Sequence, residues 1–85
     1  MWSVTWDRDG QRKVYDVYCI NASGGSVTKY TVWLKPTDGT EMYFLGNALK
    51  YTAGRGTNWW AFDGAHKVRT VKGFATRRHA IEYML

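Results

Sequence analysis

Two histidines, one cysteine and seven carboxylates are the metal-ligating side chains of this 85-residue chain and its readiest acid–base groups. His66 and His79 fall on different elements, and neither has an evident nucleophile–base partner nearby. Asp7-x-Asp9-Gly10 starts like a calcium loop but lacks the remaining ligand positions, so it reads as a turn. No Gly-rich phosphate loop follows a strand and opens a helix. These residues predict a protein that is not an enzyme and uses no metal or cofactor. The chemistry left to it is binding.

Aromatic and basic side chains carry that chemistry. Five tryptophans in so short a chain serve a small core well, because large rings bury the most apolar area. Trp2, Trp6 and one of the Trp59–Trp60 pair suit that role. Strand neighbours point to opposite faces, however, so Trp59 and Trp60 cannot both enter a one-sided core. Trp33 shares its side of a strand with Lys29 and Lys35. An outward tryptophan beside cations suits stacking on nucleic-acid bases or anchoring a protein interface. Trp33, Trp59 and Trp60 are therefore the candidate stacking or interface residues. Lys67 and Arg69, alternating on one side of the run 65–71, are candidate readers of nucleic acid, joined by Lys72 and Arg55 as phosphate contacts. Arg77 and Arg78 stand in the first turn of a helix, where the dipole disfavours cations. Beside free backbone N–H groups they read as a phosphate clamp.

The elements that must position these residues are mostly strands. "WSVTWD" alternates Trp2, Val4 and Trp6 on one side, "RDG" supplies a turn, and "RKVYDVYCI" reads as the returning strand. "NASGGS" is a flexible loop, and "TKYTVWLK" sets Tyr30, Val32 and Leu34 opposite Trp33. "PTDG" is a strong turn signal, after which "TEMYFL" pairs back. "NALKY" allows a helical turn capped by Asn47 and broken by "AGRG". "NWWAF", Asp63-Gly64 and "AHKVRTV" form a hairpin with a tight two-residue turn. Thr76 caps a C-terminal helix that buries Ala80, Ile81, Met84 and Leu85, with Phe74 stapled to that side and Arg78, His79, Glu82 and Tyr83 pointing away. The expected fold is α+β, a mainly antiparallel sheet of about six short strands with one C-terminal helix packed on it. It forms a single domain over 1–85, with strand pairs in 2–45 and a basic hairpin plus helix in 58–85.

Composition narrows the partner. The apolar share of 45% predicts a folded chain, and no stretch approaches the ~20 apolar residues of a membrane span. The N-terminus lacks the layout of a signal peptide. The lone Cys19 excludes an internal disulfide, reads as a small buried hydrophobe and fits the cytoplasm. Residues 1–49 hold five cations and five anions, whereas 50–85 hold seven cations and two anions, so the whole net charge of +5 lies in the last 36 residues. Such asymmetry points to a polyanionic partner.

Residues 55–84, "RGTNWWAFDGAHKVRTVKGFATRRHAIEYM", resemble the AP2-like modules, including the arm-type DNA-binding domains of tyrosine integrases. The matching positions are Trp60, Asp63-Gly64, Lys67 to Lys72, Gly73-Phe74, Thr76 and Ala80. The resemblance implies duplex DNA binding through a sheet face with a helix packed behind it, read by Lys67 and Arg69. The stretch "LGNALKYTAGRG" resembles a short segment of a family of small phage-encoded helical proteins. The expected function is thus a small non-enzymatic nucleic-acid-binding protein, with DNA favoured over RNA, of the phage or mobile-element accessory type. The alternative is a protein-binding module, such as an inhibitor of a host enzyme, anchored by exposed tryptophans.

Overall fold

A computed structural model describes residues 2–51 and 58–85. Five strands, β1 (Trp2–Arg8), β2 (Gln11–Asn21), β3 (Thr28–Pro36), β4 (Tyr43–Lys50) and β5 (Trp59–Asp63), precede one helix, α1 (Arg77–Met84). The strands lie side by side in chain order, each antiparallel to the next, and the sheet curls. The architecture is α+β as the sequence predicts, with five regular strands rather than six.

Period-two patterning explains the layers. Trp2, Val4 and Trp6 of β1, Tyr15 and Val17 of β2, and Val32 and Leu34 of β3 share the inner side, which α1 covers with Ile81. A second cluster, Ala61, Ala80 and Met84, joins α1 to β5. Ala61 and Ala80 are both fully buried, and their small side chains let helix and strand approach closely. Leu45 and Trp59 pack against both clusters and tie them together. Thr76 caps the helix, its Oγ1 accepting the His79 N–H at 3.1 Å, and Phe74 packs on the Ala80 side as the staple predicts.

Three local expectations change. Residues 47–50 are strand, because Asn47 pairs with Thr31 on one side and Phe62 on the other, leaving no backbone group free for a helical turn. Two ladders and a fully buried Ala48 outweigh the local propensity. The "AGRG" break and Arg55 lie outside the described residues.

The run 65–71 forms no regular sixth strand. Val68 bridges Phe62 and Phe74 bridges Trp59, so the incoming segment carries three more residues than β5 between the two bridges. The surplus loops out, and the Thr70 hydroxyl, not a backbone carbonyl, accepts the Ala61 N–H at 3.3 Å.

The third change is the hairpin after β5. Asp63 faces Lys67, whose carbonyl accepts the Asp63 N–H, and His66 N–H donates back to the Asp63 carbonyl, both at 2.9 Å. The loop therefore holds three residues, ending in His66 at φ 61, a familiar three-residue hairpin closure. The tight two-residue turn is instead Asp9-Gly10, with φ of 54 and 77 between paired Arg8 and Gln11.

Candidate nucleic-acid interface

The sheet side away from α1 is built from the alternate residues of each strand. Tyr18, Trp33 and Phe44 are direct cross-strand neighbours on β2, β3 and β4. The Trp33 and Phe44 rings lie 5.0 Å apart, tilted by 50°. The next row runs Ile20, Thr31, Asn47, Phe62 and Val68, from β2 to the segment after β5. A third row joins Lys29, Leu49 and Trp60. Ile20, Phe44 and Val68 are exposed, and Trp33, Trp60 and Phe62 are half-buried. Lys29 and Lys35 stand on this side of β3 with Trp33, as alternation requires.

Of the candidate aromatic residues, Trp33 and Trp60 belong to this open side. Trp59 does not. It points inward, against both core clusters and 6.1 Å from the Tyr30 ring.

The candidate basic residues are dispersed. Alternation about the Val68 bridge directs Lys67 and Arg69 away from the aromatic rows, and Arg69 turns back to Asp63, its Nη1 3.9 Å from Oδ2. The Asp63 carboxylate also accepts the Ala65 and Lys67 N–H groups at 2.9 and 3.0 Å. Those contacts, the Lys67 N–H foremost, hold its pKa below the ordinary aspartate value. Lys72 lies with Nζ 5.6 Å from the Phe74 ring.

Arg77 and Arg78 sit over inner-side rings rather than beside Lys67 and Arg69. The Arg77 guanidinium is 4.1 Å from the Tyr30 centroid, and that of Arg78 is 5.1 Å from Trp2. Arg78 also faces Glu82 one turn on, at 3.6 Å, so it does not simply point away from the fold. Cation–π contact supplies what the first-turn dipole withholds. Cys19, half-buried on the same inner side, has its thiol pKa raised by burial, with Arg77 opposing the shift.

Sequence reasoning missed Tyr18, Phe44, Phe62 and Asn47 as members of the open side. Alternation within each strand carried part of the signal, since Tyr18 lies between inward Val17 and Cys19. Among the described residues, no three His, Cys, Asp or Glu side chains gather as a metal site, and no helix is long and apolar enough to cross a membrane. No family model, curated protein or solved structure matches this chain.

Proposed function

We propose that the protein binds single-stranded nucleic acid, DNA foremost, on the helix-free side of its sheet. The observation that carries this reading is the row Tyr18–Trp33–Phe44 on the side of the sheet away from α1, with Lys29 and Lys35 alongside. Flat rings on a rigid sheet accept bases of any sequence, and flanking cations track the backbone between them. Single strands fit better than duplex here, because Lys67 and Arg69 stand apart from the aromatic rows and form no regular strand to enter a groove.

Fluorescence anisotropy with a labelled oligothymidine and its duplex, over a range of salt, tests the proposal. The single strand binds more tightly than the duplex, in the micromolar range at low salt. Two to four phosphate contacts give a log–log salt slope of about −1.5 to −3. Trp33→Ala weakens binding about tenfold with an unchanged circular-dichroism spectrum. Absence of binding at about 50 mM salt rejects the proposal and leaves the exposed aromatic side as an anchor for a protein partner.

A further inference from the structure

The open side is not flat. A hollow of about 170 Å³ is lined by Asn47, Leu49 and Phe62, with Lys29, Tyr51 and His66 around them. Asn47 is only 2% exposed, wedged between Thr31 and Phe62 on the neighbouring strands. Asn47 lines the hollow from the outward side of β4. An asparagine amide carries a donor and an acceptor side by side, so a ligand edge offering the complementary pair suits it.

Size and lining narrow that ligand. Pockets for whole small molecules span about 300–1,000 Å³, so this one has room for a single flat ring system with its sugar and phosphate left outside. Phe62 and Tyr51 supply ring faces for stacking, and the Lys29 ammonium meets the phosphate. Resting on the single-strand reading above, we infer that the hollow takes one unstacked adenine from the bound strand, with Asn47 reading its edge. Adenine sets the N6 amino donor beside the N7 acceptor, and an asparagine amide matches both at once. The Asn47 carbonyl accepts from N6, and its NH2 donates to N7.

The test uses the full chain and nine-nucleotide thymidine strands whose central position is dT, dA, dC or dG. The strand with dA binds about tenfold more tightly than the all-thymidine strand, the discrimination a bidentate pair provides. Asn47→Leu fills the hollow and removes the preference. Asn47→Asp, which keeps the shape and loses the donor to N7, removes most of it should the leucine variant fail to fold. Trp33→Ala lowers all four affinities together and leaves the preference intact. Independently of strand binding, adenosine monophosphate at millimolar concentration shifts the Asn47 side-chain NH2 resonances of the wild-type protein. Equal affinity for the four strands, preference for another base, or a preference that survives both Asn47 variants overturns the inference while leaving the stacking surface standing. Failure of every strand to bind rejects the surface itself, and absence of the resonance shift rejects the hollow.

Discussion

Arg77 shows how one side chain can be read two ways from sequence and one way from structure. In a helix's first turn it opposes the dipole, by about 0.3–1 kcal/mol, which suggests a waiting anion. The structure sets its guanidinium 4.1 Å from the Tyr30 ring, an interaction worth about 0.5–2 kcal/mol as it leaves water. The cation–π contact equals or exceeds the dipole cost. Arg77→Ala therefore lowers stability, by about 1 kcal/mol, read as an earlier midpoint in urea unfolding. A gain in stability would return Arg77 to the role of a solvent-exposed clamp. Oligonucleotide affinity stays within about twofold, because the side chain lies across the sheet from the proposed surface. Arg69 follows the same logic on a smaller scale, drawn to the Asp63 carboxylate instead of a phosphate.

Among the elements, β4 carries the feature that shapes the sheet. Its pairing with β3 slips between Val32 and Trp33, so that Gly46 faces Val32 while Phe44 faces Trp33, and Leu45 becomes an extra residue turned into the core. A bulge of this kind bends its strand and sharpens the local twist. Gly46 adopts φ 153, and a methyl group there would land on the Phe62 carbonyl oxygen, with the Asp63 Cα only 3.0 Å away. Both obstacles are backbone, which cannot rotate aside. Gly46→Ala thus destabilises the fold by about 2–4 kcal/mol through steric overlap and strain, and thermal unfolding shows it as a large fall in Tm. An unchanged Tm would mean that β5 is not held against β4 at this point. The two Asp-Gly hairpins make a related point. The same dipeptide forms a two-residue turn at Asp9-Gly10 but opens a three-residue loop at Asp63, where the carboxylate draws in the Ala65 and Lys67 N–H groups.

At the scale of the whole molecule, one helix completes the core of a sheet that otherwise has two open sides. Ile81 is fully buried among residues of β2, β3 and β4. Ile81→Ala removes about 2–5 kcal/mol, a large share of the ~5–15 kcal/mol that holds a domain together, and chemical denaturation measures it directly. Phe74→Ala, at a half-buried position, costs less. A helix that could be pared back without effect would not be covering the sheet. Much of this architecture was legible beforehand. Alternation in "WSVTWD" and "TKYTVWLK" assigned inner and outer side chains correctly, since period two is a property of each strand alone. Thr76 and the spacing of Ala80, Ile81 and Met84 likewise marked the helix and its buried side. What the chain could not show locally was which strand lies beside which residue. The Leu45 bulge, the strand at Asn47 and the loop-out before Phe74 all arise from pairing between distant segments, whose hydrogen bonds and burial outweigh local preference. The row Tyr18–Trp33–Phe44 and the hollow at Asn47 exist only through that register, and the arginines of the first helical turn found aromatic partners only because the sheet curls beneath them.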